Sequence, residues 1–177
     1  MRKLKLTELG RPDVEAYRSA PKLPIVLVLD DIRSALNVGS LFRTSDAMAI
    51  AKIYLCGITA TPPSREITKT AIGATDSVEW HYFDDVRQAL QQLKADGYHV
   101  LTIEQTDESV ALTDYQPAND AKLAVILGNE VYGVSEEAIS LSDQALEIAQ
   151  YGTKHSLNVA VCGGIILHHL SHLLRSR

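Results

Sequence analysis

Ile25-Val26-Leu27-Val28-Leu29 is an unbroken apolar run, and Leu123-Ala124-Val125-Ile126-Leu127 is another. Short runs rich in branched side chains read as parallel strands buried on both faces. Residues 53–56, 78–83, 98–103 and 145–148 complete six predicted strands. Helical spacing lies between them. A helix is expected over 39–48, and a second follows Asp84 or Asp85, with Val86, Ala89, Leu90 and Leu93 on one face and a stop at Gly97. Ser135 caps a short helix, and a long one closes the chain over 157–174. Thr61-Pro62-Pro63-Ser64 suits neither helix nor central strand and reads as loop. This alternation predicts an α/β fold, a mainly parallel six-stranded sheet covered by helices. Residues 1–24 form a basic, partly apolar N-terminal arm, and 25–177 form one domain large enough to bury a core.

Three polar, glycine-bearing stretches follow three of the apolar runs. They are Asn37 to Arg43 with Gly39, then Gly128-Asn129-Glu130 with Gly133, then Gly152 followed by Ser156-Leu157-Asn158-Val159. Loops at the carboxyl ends of parallel strands are where open α/β sheets bind ligands, so the three should converge. Near a helix start, Arg43 and Gly39 suit a phosphate cradle, although a surface arginine and an N-cap Asn37 would look the same. Gly128 permits close approach to backbone. Glu130 reads either as a partner of Arg43 or Asn129, or as a first-turn glutamate favoured by the helix dipole. Ser156 and Asn158 stand where loop becomes helix and are also good N-caps.

Taken together, these stretches resemble the three signature motifs of the SpoU (TrmH-like) class of SPOUT RNA methyltransferases. That class carries Asn-x-Gly-x-x-x-Arg, then Gly-Asn-Glu, then Ser-Leu-Asn-Val opening the last helix, and the resemblance covers nearly the whole chain from Ile25 on. The class often has Ile-Pro-Met where this chain has Ile148-Ala149-Gln150, and an aromatic-Gly pair where it has Ala49-Ile50. The resemblance implies a C-terminal trefoil knot and an S-adenosyl-L-methionine-dependent transfer of a methyl group to a ribose 2′-hydroxyl of tRNA or rRNA. It also implies a homodimer with its site at the subunit interface. Catalytic roles fall to Arg43, Asn37, Glu130, Ser156 and Asn158. The cofactor would be bordered by Ile103, Glu104, Gly128, Asn129, Ile148, Ser156, Leu157 and Asn158. Arginine has a pKa above ~12, so Arg43 serves either as a base assisted by substrate phosphate or as a holder of phosphate and developing alkoxide.

Net charge changes the picture only in its distribution. A formal −5 is not the footprint of an RNA binder, yet residues 1–75 carry 11 Lys and Arg against 7 Asp and Glu. Residues 76–150 carry 3 against 15, and residues 151–177 carry 3 against none. Positive charge therefore collects on the segments bearing the first and third motifs. Arg65, Lys69 and Thr70 suit either RNA backbone or a solvated helix face. No apolar run approaches the ~20 residues of a membrane span, and no secretory signal is evident, which implies a cytoplasmic protein. Cys56 and Cys162 read as buried thiols. His168 and His172 share a helical face, but no third ligand accompanies them, so no metal is expected. Two other readings remain: a non-catalytic RNA-binding or assembly protein on the same fold, and a flavodoxin-like nucleotide-binding domain.

Overall fold

The computed structural model describes residues 1–176. A seven-stranded, all-parallel sheet runs through its centre, in the order β3-β2-β1-β6-β4-β7-β5. The strands are β1 (Leu23–Asp30), β2 (Ile50–Cys56), β3 (Glu79–Phe83), β4 (His99–Ile103), β5 (Val110–Ala111), β6 (Leu123–Leu127) and β7 (Gln144–Glu147). Six strands were expected. The additional one, β5, is a two-residue edge pairing of Val110 and Ala111 with Leu146 and Glu147. So short an element carries no periodicity of its own.

Among the described residues seven α-helices accompany the sheet: α1 (Val14–Ser19), α2 (Ala35–Met48), α3 (Arg65–Ala71), α4 (Ala74–Ser77), α5 (Val86–Ala95), α6 (Glu136–Leu141) and α7 (Val159–Arg175). The apolar runs are buried on both faces, as period-two side-chain alternation requires. Ile25, Leu27 and Leu29 pack with Leu123, Val125 and Leu127 against α2, α3 and α7. Val26, Val28, Ala124 and Ile126 face the opposite way, against Val86, Ala89, Leu90 and Leu93 of α5 and Ala138 of α6.

Two helix starts differ from expectation. Helix α2 begins at Ala35 and is capped by Ser34, whose hydroxyl accepts the Asn37 amide, so Asn37 lies inside the first turn and is not the cap. Helix α7 begins at Val159, with Asn158 as its N-cap accepting from Ala160 and Val161. At the far end of α2, Ala49 takes up the left-handed conformation (φ 52°) that a glycine would hold without strain. Among the described residues no helix is long and apolar enough to cross a membrane.

Gly39, which suggested a phosphate cradle, serves packing instead, and Gly163 is a second close-packing position. A Cβ at Gly39 would lie 2.2 Å from Thr70 Oγ1 and 2.3 Å from the Ile67 carbonyl oxygen, so its bareness lets α2 and α3 approach. A Cβ at Gly163 would meet Leu41 and Leu127, which seats α7 on α2 and the sheet. Its neighbour Gly164 has nothing within 4 Å of that position.

Candidate active site

Strands β1, β6, β4 and β7 are neighbours, so the segments leaving their carboxyl ends meet on one edge of the sheet. There they enclose a cleft of about 350 Å³. Ile103 and Glu104 after β4 form one wall, the 128–133 loop after β6 a second, and Ile148, His155, Ser156 and Leu157 a third. All eight residues expected to border a cofactor are in or beside this group. Asn158 does not line the cleft but caps the helix directly behind it.

The 128–133 loop is a closed turn. The Asn129 amide donates to the Gly133 carbonyl at 2.8 Å, and Gly133 donates back to Asn129 at 2.9 Å. The Asn129 side chain is consumed locally: Oδ1 accepts from Val131 and Tyr132, and Nδ2 donates to the Asp31 carbonyl. Glu104 holds the turn from below, accepting from Val134 at 3.1 Å and from Gln105 at 2.9 Å. A Cβ at Gly128 would fall 2.1 Å from the Val134 nitrogen and 2.2 Å from the Gly133 carbonyl carbon. The space that seemed reserved for a ligand is therefore filled by the loop's own backbone.

Glu130 pairs with neither Arg43 nor the Asn129 side chain. Its carboxylate accepts from the backbone amides of Arg33 (2.8 Å) and Ser34 (3.0 Å) and from Asn37 Nδ2 (2.9 Å). Partial burial alone would raise its pKa. The Asn37 amide and the backbone donors outweigh burial and hold it below the ordinary value. The protein's own carboxylate thus holds the Arg33–Ser34 backbone that leads into α2. Asn37 Oδ1 in turn accepts from Asn158 Nδ2 at 3.2 Å. One chain of hydrogen bonds, Asn158 to Asn37 to Glu130, joins all three motifs.

Arg43 stands apart from this group. It is exposed on α2, has no side-chain hydrogen bond or ion pair among the described residues, and lines a different shallow cleft with Ser40, Thr44, Lys69 and Thr70. Ser156 lines the main cleft with no side-chain partner among the described residues.

The cleft also includes residues not assigned to the site from the sequence: Gln105, Val131, Tyr132, Glu147, Gln150, His155 and Cys162. Their position within or beside the motif loops was the available signal. Burial, with Glu104 nearby, pushes the Cys162 thiol up to about 11, so it is an inert wall. Asp30 and Asp31 bind loops: Asp30 accepts from Ser135 and Asp31 from Ile58. No group of three or more His, Cys, Asp or Glu able to hold a metal occurs among the described residues.

The sequence profile of the SpoU rRNA Methylase family matches residues 24–168. The chain belongs to that family. The tRNA (guanosine(18)-2'-O)-methyltransferase of Thermus thermophilus is 28% identical over 162 residues, covering 91% of this chain and 81% of the relative. The crystal structure of the Aquifex aeolicus TrmH/SpoU tRNA modifying enzyme superposes with a TM-score of 0.80 at 24% identity, covering 92% of this chain and 81% of that one. The AdoMet-bound rRNA methyltransferase from Sinorhizobium meliloti superposes with a TM-score of 0.79 at 25% identity. Here the match covers 89% of this chain and 60% of that one, so the chain spans about three fifths of that enzyme's length.

Proposed function

We propose that this SpoU-family chain is an S-adenosyl-L-methionine-dependent RNA methyltransferase that acts on a ribose 2′-hydroxyl of tRNA or rRNA. Family membership and the AdoMet-bound relative support the reaction class. The observation that carries the reading for this chain is the Asn158–Asn37–Glu130 chain beside the strand-end cleft. It ties the first motif, on α2, to both loops that would hold the cofactor.

The residues present fit such a cofactor. The cleft volume lies within the roughly 300–1,000 Å³ usual for small-molecule sites. Leu127, Ile148, Leu157 and Val159 offer apolar contact for an adenine, while the backbone of the 128–133 loop and the carboxylates of Glu104 and Glu147 offer polar contact. The cofactor, when bound, supplies an electrophilic methyl group on a positively charged sulfur. Gly128, Asn129, Ile103 and Glu104 shape one side of its site, and Ile148, Ser156 and Leu157 the other.

Glu130 and Asn37 are positioning residues. A carboxylate stabilised in its ionised form by several donors is a poor proton acceptor, which counts against Glu130 as a base. Arg43, free of internal partners among the described residues, holds the RNA phosphate and stabilises charge developing on the 2′-oxygen. Its separation from the cleft of its own subunit favours a homodimer in which it serves the partner's cleft. The outer face of α7 suits that assembly, since Val161 and Ile165 are 53% and 40% exposed and flank the open side of Gly164. The knotted C-terminal passage belongs to the same reading. The basic 1–24 arm is read as an additional RNA contact.

The test is transfer of labelled methyl from S-adenosyl-L-methionine to unmodified RNA by the purified protein, with mass-spectrometric mapping of the 2′-O-methyl nucleotide. A protein that binds the cofactor and RNA but methylates neither tRNA nor rRNA would contradict the proposal.

A further inference from the structure

Tyr132 stands at the tip of the closed turn on the rim of the cleft, 86% exposed, with Val131 beside it at 61%. Exposed loop aromatics are often mobile, but the backbone that carries this one is held in place. Asn129 Oδ1 accepts its amide at 3.2 Å and that of Val131 at 2.9 Å, while the Asn129–Gly133 pairing closes the turn behind it. Gly133, at φ 73°, leaves room for the Glu104 carboxylate, which supports the turn through Val134. A rigid turn therefore presents a flat aromatic ring and an adjoining apolar side chain to solvent.

The charges around the cleft favour one kind of occupant. Its lining contains the carboxylates of Glu104, Glu130 and Glu147 and no lysine or arginine. A polynucleotide whose ribose must reach this mouth gains nothing there from its phosphates, which the carboxylates repel. Two cations free to take phosphate, Arg43 and Lys69, lie together in the other cleft. A nucleobase has a π-face that an aromatic side chain binds without charge. The cofactor's adenine has apolar walls deeper in the cleft, at Leu127, Ile148 and Val159, whereas the ring on the rim meets what arrives from outside.

We propose that Tyr132 is a stacking platform for a nucleobase of the RNA substrate at or next to the methylated nucleotide, with Val131 extending the apolar surface. This rests on the RNA methyltransferase reading above and adds a substrate-positioning residue to it.

The experiment measures binding of unfractionated tRNA and of total rRNA from cells lacking this protein, across a salt series, for wild type and for Tyr132→Ala, Tyr132→Phe, Tyr132→Trp and Tyr132→Leu. Cofactor binding, light scattering and thermal melts accompany each variant. Loss of one stacked base lowers affinity by roughly 5- to 150-fold. We expect that loss in Tyr132→Ala and Tyr132→Leu, near-wild-type affinity in Tyr132→Phe and Tyr132→Trp, and unchanged melting temperatures. The slope of log affinity against log salt should be the same in all variants, because no phosphate contact is removed; a lost lysine–phosphate pair would change it by about one. Quenching of the Tyr132→Trp fluorescence by RNA would be a direct sign of stacking.

Unchanged RNA affinity in Tyr132→Ala overturns the proposal. So does a loss confined to cofactor binding, which would make the ring a lid on adenine, or conversion to a monomer, which would make it a subunit contact. A wild-type protein that binds RNA with this aromatic dependence but transfers no methyl refutes the reaction while leaving the platform standing. A wild-type protein that binds no RNA refutes the platform.

Discussion

Asn158 donates its side-chain amide to Oδ1 of Asn37 across 3.2 Å and 121 residues of sequence. The orientation of both amides is chemically determined. Asn158 must turn Oδ1 toward the Ala160 and Val161 amides that it caps, which leaves Nδ2 for Asn37. Asn37 must turn Nδ2 toward the Glu130 carboxylate, which leaves Oδ1 for Asn158. The start of α7 and the start of α2 are thereby joined through groups that each have one alternative, and it is unfavourable.

Substituting Asn158 separates its two tasks. Asn158→Asp keeps a good N-cap acceptor but loses the donor facing Asn37. Its melting temperature should stay close to wild type, while methyl transfer falls about tenfold, the equivalent of one hydrogen bond. Asn158→Ala should lose the cap as well, at a cost of about 1 kcal/mol. Thermal melts and single-turnover transfer on the two variants check both statements. Equal loss of stability in both would show that capping is not the distinguishing role.

Glu130 links stability to pH. Its folded pKa lies below its ordinary value near 4.5, so its stabilisation is fully present above that value and is lost as pH falls through the lower, folded one. Glu130→Gln removes the charge and replaces with an NH2 donor one of the two oxygens that accept from Arg33, Ser34 and Asn37. The side chain is solvent-exposed, so a discounted cost of about 1 kcal/mol at pH 7 is expected. Urea titrations should show that gap narrowing below pH 4.5 and closing in stronger acid. A gap independent of pH would assign the stabilisation to packing.

The strands were legible because branched apolar runs have few other uses, and β6 falls on the expected residues 123–127. The edge strand β5 was not, since two residues carry no period. The start of α2 was obscured because Ser34 caps it within a mixed polar and apolar stretch, Asp31 to Asn37, that also reads as loop. Many residues of the candidate site were named, yet the surroundings of Gly128 and the partners of Glu130 were misjudged. A sequence shows that position 128 is a glycine but not that Gly133 and Val134 fill the space beside it. Nor does it show that Glu130 meets Arg33 and Ser34 instead of Arg43. Such facts depend on which strands are neighbours, here β1 and β6, far apart in the chain.

Gly128→Ala tests the corrected role of that glycine. The added carbon meets backbone atoms of Gly133 and Val134, which cannot swing aside as a side-chain tip can. Overpacking of this kind costs about 1–3 kcal/mol. The loop should be displaced before any ligand is added, so amide exchange at Gly133 and Val134 should accelerate in the free protein. Cofactor affinity should fall as a consequence. A variant with wild-type exchange at both amides but no cofactor binding would return Gly128 to direct ligand contact.

Assembly is tested on the outer face of α7. Val161 and Ile165 project beside Gly164 and share an apolar groove with Met48, Leu112 and Tyr151. Ile165→Asp should convert a dimer to a monomer in light scattering at micromolar concentration, with helix content retained and methyl transfer lost. Transfer by a stable monomer would remove the case for Arg43 acting across subunits.

Arg43→Ala should lower single-turnover methyl transfer, at saturating cofactor and RNA, by on the order of 10²–10³-fold, the usual cost of a lost donor to developing charge. Cofactor affinity should stay within a few-fold of wild type, because Arg43 lines the α2–α3 cleft and not the one bounded by Gly128 and Leu157. Stability should also be unchanged, since the exposed guanidinium has no internal partner among the described residues to strand. Arg43→Lys keeps the charge but not the planar fork that grips a phosphate at two points, so it should recover little of the rate. Mixing inactive Arg43→Ala subunits with subunits blocked in the cofactor cleft by Gly128→Ala gives the sharpest result. If Arg43 serves the partner's cleft, mixed dimers bring the intact Arg43 of one subunit to the intact cleft of the other, and part of the activity returns. Failure to complement, with mixed dimers demonstrated, would place Arg43 in the cleft of its own subunit.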